Sequence, residues 1–215
     1  YGAALQNPDR AYRKAYFEGL LGTYGKHIRS ISSNYSGAVK ADVYMAKSRN
    51  YKTAREAALA DNHIPEEVYD NLIQTVRANT KPLQDYVSLR KQILGIEDFH
   101  FYDFFVPIVK DVAREYPYDE GKEIVLKATA VLGEDYNEIM RHGVDDRWID
   151  IYPGKNKMTG AYSTGAYGFH PYMLLNYDNT LEDVFTLGHE LGHSMHTYFS
   201  QKNQPYLYSD YSIFC

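Results

Sequence analysis

Apolar residues recur every three or four positions through most of this chain, and Pro, Gly, Ser or Asn closes each run, so the pattern predicts helix after helix from Asn7 to about Arg141. Asn7-Pro8-Asp9 opens a long first helix that carries Ala11, Ala15, Leu20 and Leu21 and ends near Ser32. A second segment, Tyr35 to Lys47, is marked by Val39, Val43 and Met45, and a short helix follows over Thr53 to Leu59. Ile64-Pro65-Glu66-Glu67 is a start signal, because proline is tolerated early and acids in the first turn oppose the helix dipole. Val68, Leu72, Ile73 and Val76 define the face of that helix that should be buried. Thr80-Lys81-Pro82 starts another helix, which passes Val87 and Ile93 and stops at Gly95. Phe99 to Pro107 is aromatic and interrupted by Pro107, which suits an extended or buried connector rather than a regular helix. Two further helices, Asp119 to Leu132 and Glu134 to Arg141, meet at Gly133.

The period changes after Gly143. Trp148 to Tyr152, Gly160 to Ser163 and Tyr172 to Tyr177 read as short strands, with a turn over Pro153 to Lys157. The chain then returns to helix at Asn179 or Thr180, where Thr180 and Asp183 form a capping-box pattern. Its apolar stripe is Leu181, Val184, Phe185, Gly188, Leu191, Gly192 and Met195, and its polar face is Glu182, Thr186, His189, His193 and His196. The expected fold is mainly α, with residues 1–143 a helical array and residues 144–215 a small β-sheet beside this last helix.

Composition narrows the class. A length of 215 residues with 44% hydrophobic content supports a globular core. The net charge of −5 and the absence of any dense Lys/Arg run speak against nucleic acid as a partner. No apolar run approaches the ~20 residues of a membrane span, so no membrane partner is expected. Cys215 is the only cysteine, which rules out an intrachain disulfide and a multi-cysteine zinc site and fits a reducing compartment. The chain begins at Tyr1 rather than Met, and both ends read as cut. Tyrosine is the outlier at 22 residues. Such rings suit either a wet, peptide-gripping cleft or the margin where helix packing meets water.

The chemistry concentrates in His189-Glu190-Leu191-Gly192-His193. Two imidazoles four residues apart share one face of a helix and can close on one Zn²⁺ at ~2.0–2.1 Å. Glu190 is turned by about 100° from His189, so it need not ligate. A carboxylate so placed can take a proton from a water whose pKa the metal lowers to ~7, then pass it to the leaving amine. His196 lies a further turn on, which suits packing or hydrogen bonding to a ligand better than ligation. Phe199 stands where the long metzincin motif has its third histidine. Asp210 is the only acid after His193, and with Ser209 it sits where a helix would start, so capping is its simpler role. His27, His63, His100 and His142 lack ligand spacing, and no serine-hydrolase elbow or phosphate loop occurs.

Gly188 to His196, Gln204-Pro205-Tyr206 and Ser209 to Phe214 closely resemble the oligoendopeptidase F branch of the M3, thimet oligopeptidase-like, metallopeptidases. So do Lys40-Ala41-Asp42-Val43, Ile64 to Tyr69, Gly160-Ala161-Tyr162-Ser163 and His170-Pro171-Tyr172. The resemblance implies a cytoplasmic zinc endopeptidase acting on short peptides in a deep channel. It further implies that this chain is the front half of the catalytic domain, with the third zinc ligand, a glutamate, beyond Cys215 and the remaining half of that domain as its partner. Gly160 to Ser163, His170 and Tyr172 then correspond to the sheet region beside the site, where an edge strand could pair with a peptide or serve packing alone. The competing reading is a catalytically silent helical peptide-binding module whose histidines are structural.

Overall fold

The computed structural model describes residues 2–109 and 114–215. The chain divides into two compact units, Tyr1–Asp111 and Val112–Cys215. The described helices of the first are α1 (Gly2–Gln6), α2 (Arg10–Lys26), α3 (Ile28–Ser48), α4 (Ala54–Ala60), α5 (Glu66–Ala78) and α6 (Lys81–Leu94). Local signals fix the ends of these helices. The Asp9 side chain accepts from the Ala11 N–H at 2.9 Å, Thr53 caps α4, Pro65 precedes the first turn of α5, and Gly95 closes α6 in the left-handed region at φ 63°.

Two expectations are corrected in this unit. The first long helix ends at Lys26 rather than near Ser32, because Gly19, Gly22 and Gly25 weaken its last turns and His27 turns out at φ −107°, ψ 14°. Ser30 to Ser33 then lie inside α3. The face of α5 drawn as buried is open, with Val68, Leu72 and Val76 at 47%, 48% and 59% exposure. An apolar stripe shows which face seeks cover, not whether cover lies within the same stretch of chain.

The aromatic connector is buried in part, with Phe101 and Phe105 left exposed. A 3₁₀ turn over Phe101–Asp103 buries Tyr102 and Asp103, and Val106 is buried after it. Asp103 is fully buried and binds two arginines from α2: its Oδ1 accepts from Arg13 Nη2 at 2.8 Å and its Oδ2 from Arg10 Nη2 at 2.9 Å. Arg13 also donates to the Tyr102 carbonyl at 2.9 Å, and buried Arg90 of α6 donates to the Val106 carbonyl. One carboxylate and three guanidiniums thus hold the connector between α2 and α6.

The second unit contains α7 (Tyr118–Ala128), α8 (Glu134–Asp145), β1 (Ile149–Asp150), β2 (Tyr162–Thr164), β3 (Tyr172–Leu174) and α9 (Leu181–Asn203). The change of texture at Gly143 therefore falls within this unit, at the end of α8. The strands are ordered β1-β3-β2, with β1 parallel and β2 antiparallel to β3. Leu175 and Tyr177 extend the pairing beyond β3, their N–H groups donating to Asp150 O at 2.8 Å and Ile151 O at 2.9 Å. One core joins Val125 and Leu126 of α7, Met140 and Val144 of α8, Met173 and Leu175, and Val184, Leu187, Leu191 and Met195 of α9. No helix among the described residues is long and apolar enough to cross a membrane.

Tyr177 locks α7 to this core. Its hydroxyl donates to the Tyr116 carbonyl at 2.8 Å, and burial pushes its pKa up to about 12. A Cβ added at Gly121 would lie 2.2 Å from that hydroxyl. Because the Tyr177 backbone is tied to Ile151, the ring has little room to withdraw. Gly121→Ala is expected to lower the stability of this unit by about 1–3 kcal/mol, read as an earlier urea midpoint.

Candidate metal centre

Helix α9 starts where Thr180 and Asp183 satisfy each other: Thr180 Oγ1 accepts from the Asp183 N–H at 3.2 Å, and Asp183 Oδ2 accepts from the Thr180 N–H at 2.8 Å. The Asp178 N–H donates to the same carboxylate at 3.1 Å, so the entry into the helix is rigidly defined. The covered face is turned from the one drawn from periodicity. Val184, Leu187, Leu191, Ser194 and Met195 are buried, whereas Leu181 and Phe185 are 48% and 68% exposed and Gly192 opens onto free space. Cover comes from α7, α8 and the sheet, all on the Leu187–Ser194 side.

That rotation sets the environment of the motif. His189 and His193 lie on the open arc, and their Nε2 atoms converge to 3.2 Å. Two ligands of one tetrahedral ion with bonds of ~2.0–2.1 Å would sit about 3.3 Å apart, so the two rings already hold the spacing that a shared ion requires. Glu190 lies at the margin of the covered arc and is only 7% exposed. Among the described residues no hydrogen bond or ion pair engages its carboxylate, which leaves it available for a reacting group.

Among the described residues no third His, Cys, Asp or Glu joins the two histidines. His196 stacks on Tyr211 at 4.0 Å, and its Nδ1 lies 3.1 Å from Cys215 Sγ. Asp210 begins no helix; its carboxylate accepts from the Tyr211 N–H at 2.9 Å, after a 3₁₀ turn over Tyr206–Tyr208.

The residues read as peptide contacts are separated by the pleat. Ser163 faces α9, where its hydroxyl meets that of fully buried Ser194 at 2.8 Å. Ala161 packs against the core, and the Gly160 carbonyl accepts from Asn176 Nδ2 at 2.8 Å. Tyr162 and Tyr172 are exposed and, with Thr164 and Arg147, line an open cleft of about 500 Å³ at the sheet. His170 stacks on Trp148 at 5.1 Å with the rings 3° apart, and Trp148 in turn stacks on Tyr198 of α9. Sequence reasoning passed over Ser194. Its only signal was a small hydroxyl residue directly after the second histidine.

A long helix bearing the two histidines of His-Glu-x-x-His on its open arc and the glutamate at the margin, with a three-stranded sheet laid along its covered side in a mainly helical chain, is the architecture of a zincin-like metallopeptidase. A family model described as peptidase family M3 matches residues 3–215, and the chain belongs to that family. The chain is 46% identical over 210 residues to oligopeptidase PepF of Bacillus subtilis, covering 98% of this chain and 31% of that protein. It is 40% identical over 214 residues to the chromosomal oligoendopeptidase F of Lactococcus lactis, covering 100% of this chain and 35% of that protein. Among solved structures, oligoendopeptidase-F from Enterococcus faecium is 33% identical with a TM-score of 0.60, over 93% of this chain and 30% of that one. The chain spans about a third of the length of the curated relatives it matches.

Proposed function

We propose that these residues form the front part of the catalytic domain of a cytoplasmic zinc endopeptidase that cleaves short peptides. The observation that carries this reading is the 3.2 Å convergence of His189 and His193 Nε2 next to the unengaged carboxylate of Glu190, a residue only 7% exposed. Zinc, when bound, supplies Lewis acidity toward a peptide carbonyl and acidifies a water. His189 and His193 hold it as neutral imidazoles. Glu190 accepts the proton of the attacking water and returns it to the amine nitrogen as the C–N bond breaks. The free edge of β2 offers backbone groups to an extended peptide.

The third ligand belongs to a segment that follows Cys215, and the rest of the domain covers the apolar faces of α5 and α9 that stand open. Coverage of about a third of the relatives and the 68% exposure of Phe185 support this. The relatives named oligopeptidase or oligoendopeptidase favour short peptides as substrates.

Metal content tests the reading. The full-length protein is expected to hold one zinc per chain by elemental analysis, and His189→Ala to lower its affinity by at least about 10²-fold, since one of the protein ligands is removed. Equal zinc in both proteins would return the histidines to a structural role.

A further inference from the structure

We infer that Ser163 is the residue of β2 whose backbone pairs with the peptide, and that the buried hydroxyl of Ser194 is the positioning group that holds it level with the metal-binding turn. This rests on the peptidase reading above and adds to it a register and a residue.

The register follows from which way each backbone group points. The Met173 and Leu175 N–H groups donate to Trp148 O at 2.7 Å and Asp150 O at 2.8 Å, so both residues direct their polar groups toward β1. Successive residues of a strand alternate, and Tyr172 and Leu174 therefore direct theirs toward β2. Their partners are Thr164 and Tyr162. Those two use their N–H and C=O groups inward, which turns the N–H and C=O of Ser163, between them, out along the free edge. Among the described residues no strand lies beyond β2.

The side chain of Ser163 leaves the sheet by the face that α9 covers. There its hydroxyl meets that of Ser194 at 2.8 Å, one residue after His193 and fully buried. A second seat lies one turn along: a Cβ added at Gly165 would come within 2.7 Å of Thr197 Cγ2. With alternate residues 163 and 165 seated on helix positions 194 and 197, the strand can neither slide nor twist relative to the helix. Among the described residues the polar tie of this pair is the Ser163–Ser194 bond, so it links the height of the outward-facing Ser163 amide to the height of His193.

The test uses the full-length protein and a peptide series in which one backbone N–H at a time is N-methylated. In the wild type, one position of the series is expected to raise KM about three- to tenfold through loss of the bond to the Ser163 carbonyl. Ser194→Ala is expected to raise KM for the unmethylated peptide by a similar factor, with kcat within about twofold and zinc content unchanged, and to erase most of the N-methyl penalty. Alanine suits a helix interior, and Ser163→Ala, at a half-buried site, removes the same bond from the strand side. The double variant should match either single one.

An N-methyl penalty that persists undiminished in both variants would make the pair structural only and overturn the positioning role. A series with no sensitive position would overturn the assignment of Ser163 as the pairing residue. Neither result bears on zinc or Glu190, whose failure would instead appear as full activity of Glu190→Gln.

Discussion

A full-length protein carrying Glu190→Gln is expected to keep its zinc and to lose peptide hydrolysis by about 10²–10⁴-fold. Glutamine has nearly the volume of glutamate and can fill the same site at the edge of the covered arc of α9, where Glu190 is 7% exposed. What it lacks is a group basic enough to take the proton of the attacking water. Because the two histidines are untouched, the loss should fall on kcat rather than on metal content or KM. A quenched peptide assay paired with elemental analysis separates this outcome from that of His189→Ala, in which metal is lost as well. Hydrolysis within about tenfold of wild type, at full zinc occupancy, would remove Glu190 from the mechanism.

The second large effect lies far along the chain from the motif. Asp103→Ala is expected to destabilise the first unit by about 3–5 kcal/mol, the usual consequence of stripping a buried ion pair of one partner. Arg13 is 2% exposed and bonded at 2.8 Å, so its charge would be left in a site that water does not reach. Arg10, at 41% exposure, can turn to solvent and should contribute little. Asp103→Asn should retain part of the stability through its remaining carbonyl acceptor.

The pH dependence has a definite sign. Burial raises the Asp103 pKa, but hydrogen bonds from Arg10, Arg13 and the His100 N–H lower it by more, and the net value lies below the ordinary carboxylate range. The folded state therefore releases this proton more readily than the unfolded state. The stabilisation is complete well above pH ~4 and drains away as pH falls below that value toward the folded pKa. Urea midpoints at pH 7 and pH 3 should differ more for wild type than for Asp103→Asn. An Asp103→Ala midpoint equal to that of wild type would show that the cluster adds nothing.

How legible each feature was depended on the range of the interaction behind it. The capping box at Thr180 and Asp183, the glycine stop at Gly95 and the proline start of α5 were readable because each is settled within four residues. The break at His27 was not, since a glycine-weakened helix end competes with a continuation that local pattern describes equally well. The family, too, was readable, because its motif and flanking segments are contiguous in the chain.

The amino-acid sequence by itself determined that His189 and His193 share one face of a helix with Glu190 turned aside, because the pitch of an α-helix imposes that on any residues so spaced. Only the tertiary structure decided which arc of that helix is covered, which placed Glu190 at the margin and left Phe185 bare. It also brought Asp103 to arginines about ninety residues away and set Ser163 against Ser194. Periodicity is a property of one element, whereas cover and register belong to two surfaces that meet, and the position of one surface cannot be computed from the repeat of the other.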